Sequence, residues 1–218
     1  MVKTKANRRK ANPLMRRRPG IPRPRVAFDG TNISSTYYRG ASATDGGSIG
    51  QYLFVSATSD ALGAASPVGG ILDAYSEYKF NKLTIEFIPS ISPANVDAGS
   101  RIHIAYLDNP EKMLNWAAFA ADSSSPGKTA MLAGVRGARN CKSFNAWERF
   151  TYNVPLTWRR KVFDVDRSNP SGDINIYERA IQGMVIIAIE SVTEAVGVGT
   201  FRVQSTVHLR GLDISMTS

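Results

Sequence analysis

Ten consecutive residues near the C-terminus alternate without a break. Phe201, Val203, Ser205, Val207 and Leu209 share one side, and Arg202, Gln204, Thr206, His208 and Arg210 share the other. A helix repeats its faces every 3.6 residues, so a period of two is a strand signal, with one face buried and one wet. A chain that contains such a strand needs a sheet around it and a second layer to cover the apolar face.

The same pattern recurs upstream. Strands are predicted at Ile49–Ala57, at Tyr78–Ile88 with Leu83, Ile85 and Phe87 opposite Thr84 and Glu86, and at Arg101–Leu107 with Ile102, Ile104 and Tyr106 opposite Arg101 and His103. Further strands are expected at Thr129–Val135, Trp147–Val154, Lys161–Val165 and Gly183–Val192. The last is apolar on both faces (Met184, Ile186 and Ala188 against Val185, Ile187 and Ile189), which places it centrally with cover on each side. Two stretches read as short helices, Val68–Tyr78 and Pro110–Ala121, the second preceded by Asp108 and Asn109 with Pro110 at its first position. No βαβ alternation is present. The fold class is all-β, an antiparallel sandwich with two short helices.

Charge divides the chain differently. Of its 27 Lys and Arg residues, ten fall in the first 25 positions: Lys3, Lys5, Arg8, Arg9, Lys10, Arg16, Arg17, Arg18, Arg23 and Arg25. No acid accompanies them, so the remainder holds 17 basic and 18 acidic side chains. The basicity is an arm on a nearly neutral body. Such a segment has too little apolar surface to fold, and its self-repulsion extends it. Pro19, Gly20, Pro22 and Pro24 close it, and a Gly/Ser/Thr-rich stretch follows to Gly47. The expected division is a disordered basic arm with its connector over 1–47 and a β domain over 48–218.

A cationic arm calls for a polyanion. Ten cations meeting single-stranded nucleic acid set an upper bound of roughly −7 on the log–log salt slope. Seven of the ten are arginines, which fork onto phosphate, and the arm contains no aromatic ring for base stacking. It therefore reads phosphate rather than sequence. Arg8-Arg9-Lys10 and Arg16-Arg17-Arg18 also suit a nuclear import receptor.

Enzyme chemistry finds little support. The two histidines, His103 and His208, fall on polar strand faces without metal-ligand spacing, and the single Cys141 reads as a lone thiol. Gly134-Val135-Arg136-Gly137 lacks the Lys-Ser/Thr ending of a phosphate loop. Asp164-Val165-Asp166, with Asp173 nearby, reads as a turn rather than a metal loop, because Arg167 adjoins it and the spacing is not that of an EF-hand. No cofactor is expected. The longest apolar run, Met184–Ile189, is far short of a membrane span, and the N-terminus shows no apolar signal core. An intracellular setting without membrane contact is expected.

Three segments resemble the shell domain of small plant RNA virus coat proteins of the tombusvirus and carmovirus group. Tyr75-Ser76-Glu77-Tyr78-Lys79-Phe80-Asn81-Lys82-Leu83-Thr84-Ile85-Glu86-Phe87-Ile88-Pro89 is similar to that family's helix-to-strand motif. Gly99–Asp108 takes the place of the next strand, and Gly199–Asp213 is similar to the last one. The resemblance spans roughly 48–213 and implies an eight-stranded jelly roll behind an RNA-binding arm. Family members often hold inter-subunit calcium with an Asp-x-Asp-x-x-Asp run. Here the run reads Asp108-Asn109-Pro110-Glu111-Lys112-Met113, without the second and third carboxylates. Asp108, Asp164 and Asp166 are the only weak metal candidates. The chain ends at Ser218, which likens it to necrovirus, sobemovirus or ourmiavirus coat proteins that lack a protruding domain.

The resulting expectation is a capsid protein that self-assembles into a large homo-oligomeric virion shell and packages single-stranded genomic RNA through its arm. Its places would be the virion and the host cytoplasm or nucleus. The alternative is a non-capsid nucleic-acid-binding protein, an RNA chaperone or movement-type protein on a β-sandwich body.

Overall fold

The computed structural model describes residues 31–43, 48–56, 71, 74–94, 99–121, 132–156, 163–165, 174–190 and 196–212. The strands are β1 (Thr31–Ala43), β2 (Ser48–Ser56), β3 (Tyr75–Pro89), β4 (Arg101–Leu107), β5 (Lys142–Asn145), β6 (Phe150–Asn153), β7 (Phe163–Asp164), β8 (Ile181–Glu190) and β9 (Val196–Leu212). Eight of them form two antiparallel four-stranded sheets, ordered β1-β9-β3-β6 and β2-β8-β4-β5, while the two-residue β7 adds to β3. The chain passes back and forth between the sheets, with β4 and β5 staying in the second and β6 and β7 in the first. This is a jelly roll.

Strand β9 lies between β1 and β3, and its alternation is realised residue by residue. Phe201, Val203, Ser205, Val207 and Leu209 are buried between the sheets, while Arg202 to Arg210 on the other side stay half-exposed. Strand β8 has no wet side. Val185, Ile187 and Ile189 join the core between the sheets, and Met184, Ile186 and Ala188 point outward into a second apolar cluster. That cluster is closed by α1 (Pro110–Ala121), by a helical turn over 132–136 and by α2 (Ile174–Ala180), which contribute Met113, Trp116, Val135 and Tyr177. Helix α1 begins where Asn109 caps it: the Asn109 Oδ1 accepts the Lys112 amide at 3.0 Å.

Two polar side chains tie the sheets together. On the edge of β3, β7 stops at Tyr78 and β6 begins at Thr84, so the residues between lack a neighbouring strand. Gln182 of the second sheet fills part of this gap. Its Oε1 accepts the Phe80 amide at 2.8 Å, and its Nε2 donates to the Phe80 carbonyl at 3.1 Å. The Tyr78 hydroxyl reaches across to the carbonyl of Ala180. Both pairs satisfy groups that are costly to bury alone.

Several expectations are corrected. Thr31–Ala43 is a strand, not connector: it pairs with β9 along its length, and its outward residues are polar because that face is wet. Of the helix expected at Val68–Tyr78, Ile71 is helical, but Tyr75–Tyr78 belongs to β3, where pairing with β9 overrides the local signal. The strand expected at Thr129–Val135 is helical from 132. A short apolar run fits either state, and here Gly134 lets the turn lie on the Trp116 ring, 3.1 Å from where a Cβ would sit. Trp147 lies in a turn before β6, and β5 and α2 were not anticipated.

Candidate functional site

The ten arm cations, Lys3 to Arg25, lie outside the described residues, as do Asp166 and Asp173. Asp108 is exposed at the end of β4 in the second sheet. Asp164 is exposed on β7 at the edge of the first, 3.5 Å from the Arg179 Nε. The structure does not bring these two together, and among the described residues no three His, Cys, Asp or Glu side chains are placed to hold a metal. Nor is any described helix long and apolar enough to cross a membrane.

His103 departs from its expected polar setting. It is 2% exposed, on the outward face of β4 beneath Arg136. Its Nδ1 lies 2.7 Å from the Ser143 Oγ, and its Nε2 lies 3.5 Å from the Glu190 Oε2. Ser, His and Glu in a row have the composition of a nucleophilic triad. The protons are wrong for one. The Arg136 guanidinium, which can only donate, sits 3.2 Å from Nε2 and also pairs with Glu190. Nε2 is therefore an acceptor, Nδ1 carries the proton, and Nδ1 donates to Ser143 instead of taking a proton from it. Burial first, then the positive charge of Arg136, holds the imidazole below its ordinary 6.5, although Glu190 opposes both. The contact with Glu190 is thus not an ion pair at neutral pH. Cys141, half-buried, has its Sγ 4.0 Å from the Ser143 Oγ.

The outer face of the first sheet has a different character. Register places its side chains in rows: Asn32, His208 and Lys79; Ser34, Thr206 and Lys82; Thr36, Gln204, Thr84 and Asn153; Tyr38, Arg202, Glu86 and Thr151. Hydrogen bonds run along the rows, from Ser34 to Thr206 at 3.4 Å and from Thr84 to Asn153 at 3.2 Å, while Asn81 and His208 both meet the Asn32 Oδ1. Glu86, 8% exposed, is held between Arg149 and Arg202. Beside β3 the gap between β6 and β7 leaves a groove of about 240 Å³, lined by Lys79, Asn81, Lys82 and Thr84 on one side and Asn153 to Leu156 on the other. Lys79 and Lys82 are three residues apart, a spacing that puts them on opposite faces of a regular strand. A bulge between Phe80 and Lys82 puts them on the same one. Sequence reading missed this face for that reason, and because it assigned β1 to the connector.

No family model and no curated protein matches the chain in sequence. Solved structures do match in shape. A chain of Cocksfoot mottle virus superimposes with a TM-score of 0.59 at 18% identity, over 85% of this chain and 96% of that one. Mud crab tombus-like virus gives 0.61 at 12%, over 99% and 96%. A capsid protein deletion mutant of Penaeus vannamei nodavirus, in a T=1 subviral particle, gives 0.53 at 10%, over 84% and 99%. The chain shares the fold of viral capsid proteins. The helix-covered second sheet and the open first sheet are thus parts of a jelly roll of the kind those chains have, and the fold inferred from the plant virus resemblance is the one observed.

Proposed function

We propose that this chain is a viral coat protein whose jelly-roll body assembles into a closed shell and whose basic arm neutralises packaged single-stranded RNA. The observation that carries the reading is the pairing of two features in one chain. One is a jelly roll that follows viral shell chains over 85–99% of its length; the other is a segment with ten cations and no acid ahead of it. Among the described residues, the Ser143–His103–Glu190 row is proton-locked by Arg136. The division of labour follows from the charges. The body is nearly neutral, so copies approach without long-range repulsion, whereas the arms repel one another until a polyanion cancels them. RNA then gathers subunits, and contacts between bodies set the geometry. The Arg8-Arg9-Lys10 and Arg16-Arg17-Arg18 triplets also suit capture by a nuclear import receptor before assembly.

Electron microscopy of the purified full-length protein, with nuclease treatment of the same sample, tests the reading. Closed particles that shield RNA from nuclease are expected. A small monodisperse species that binds RNA but leaves it open to nuclease would instead indicate a non-capsid RNA-binding protein.

A further inference from the structure

Among the described residues, nothing covers the outer face of the first sheet. No described helix lies on it, in contrast to the second sheet, and its side chains are hydroxyls, amides and charges rather than aliphatics. Its charges do not balance. Glu86 is taken by Arg149 and Arg202, and Glu77 lies 3.8 Å from Arg210. Lys79 and Lys82 share the groove beside β3 and have no carboxylate partner among the described residues. Across the sheet, Tyr38 is 63% exposed and paired in register with Arg202.

From this arrangement we infer that the open face is a second contact surface for single-stranded RNA, distinct from the arm, with Lys79 and Lys82 holding phosphates in the groove and Tyr38 stacking a base. The inference rests on the coat-protein reading above. Lys79 and Lys82 stand one two-residue step apart along β9, about 7 Å. From the Thr206 row to the Arg202 row is about 14 Å, and from β3 to β1 about 10 Å, so the path from Lys82 to Tyr38 is a diagonal of a few nucleotides. Between them lie Thr206, Gln204, Ser34 and Thr36, short polar groups able to meet base edges and the 2′-hydroxyl. An exposed ring beside cations on a flat sheet is a sequence-tolerant platform for RNA. Other occupants fit less well. The chain's own arm would bring ten more cations to a groove that already holds two lysines. A second copy of the body would want an apolar, lysine-poor centre, and this face is polar with two lysines at its groove.

The test uses the full-length chain and a fluorescent oligouridylate too short to bridge a shell, with affinity measured across a salt series. Lys79→Gln with Lys82→Gln should lower the log–log slope by about 1.4, two contacts at about 0.7 each. The Lys79→Arg, Lys82→Arg pair should restore it. Tyr38→Thr should weaken binding about tenfold with the slope unchanged, as loss of one stacked base requires. Ultraviolet cross-linking should place uridine on the peptide containing Tyr38. Thermal melting within error of wild type shows that each variant is folded. As a reference, Arg16→Gln, Arg17→Gln and Arg18→Gln together should lower the slope by about 2. If that arm triple responds while the lysine pair leaves the slope untouched and no cross-link reaches Tyr38, this proposal fails and the arm reading stands. If the lysine pair changes only particle size, the face joins copies of the chain and the proposal is equally wrong. If the wild type binds no RNA, the coat-protein reading falls too.

Discussion

The outer faces of the two sheets start from the same strand geometry and end in opposite states. Over β8 the outward residues are Met184, Ile186 and Ala188, and three short helical segments fold back to bury them with Met113, Trp116, Val135 and Tyr177. Over β9 the outward residues are Arg202, Gln204, Thr206, His208 and Arg210, and nothing among the described residues folds back at all. Burial of each large apolar side chain is worth about 1.5–3 kcal/mol, so the helices of the covered face are held by the sheet they cover. No such reward exists over the open face. Among the described residues, one sheet is packed on both sides, and the other on its inner side only, with a hydrogen-bonding, cationic surface turned outward. A protein that needs both a rigid wall and a surface for a polyanion can obtain them from one sandwich in this way.

The largest expected effect separates the faces outright. Ile186→Asp places a carboxylate in the covered face at a residue with no solvent exposure, and the protein should fail to give a cooperative unfolding transition. Thr206→Asp, at a half-buried position on the open face, should shift stability by no more than about 0.5 kcal/mol. Equal damage from the two would break the comparison. Next comes Trp116→Ala, which empties the space between α1 and β8 and should cost about 3–5 kcal/mol in denaturant unfolding, with α1 loosening first in hydrogen exchange.

Smaller effects sharpen the comparison. Gly183 leaves room for the Tyr106 ring, whose hydroxyl donates to the Gln182 carbonyl at 3.1 Å; a Cβ on Gly183 would overlap that ring. Gly183→Ala should cost about 1–3 kcal/mol, and adding Tyr106→Leu should return part of the loss, a coupling that a double-mutant cycle measures. The smallest effect is a pH dependence at the margin of the covered face. His103 faces Arg136, Glu190, Arg101 and Ser143, and its folded pKa is lowered from 6.5. Above 6.5 the group is neutral in both states and contributes no penalty. As pH falls below 6.5 the unfolded chain takes up the proton first, so stability declines, at most about 1.4 kcal/mol per pH unit for one proton. In His103→Gln this decline between pH 7 and pH 5 should be shallower. An unchanged profile would mean the imidazole protonates freely in the folded chain.

What could be read from the sequence follows the same division. Strand β9 announced itself because one face is apolar and the other polar, and β8 because both of its faces are apolar. The jelly-roll class followed from these and from the Tyr75–Pro89 resemblance. Strand β1 was hidden. Its inward residues, Ile33, Ser35, Tyr37, Arg39 and Ala41, mix apolar with polar side chains, as an edge strand that only partly meets the core can, so no clean apolar face showed. The helical turn at 132–136 was hidden because five residues are too few to show a 3.6 period. Asp108 and Asp164 were separate metal candidates, and the companions of Asp164, Asp166 and Asp173, lie outside the described residues. The open face was illegible for a further reason. It depends on a bulge that aligns Lys79 with Lys82 and on a pairing that sets Tyr38 beside Arg202, and both are products of register rather than composition.

The claim that the arm holds RNA while the body sets the shell is tested most directly by RNA retention in a full-length chain whose ten arm cations, Lys3 to Arg25, are all changed to serine. The account predicts a body that melts as the wild type does but releases RNA at physiological ionic strength, because two lysines on the open face cannot replace ten charges. RNA still held at wild-type levels under those conditions would contradict it.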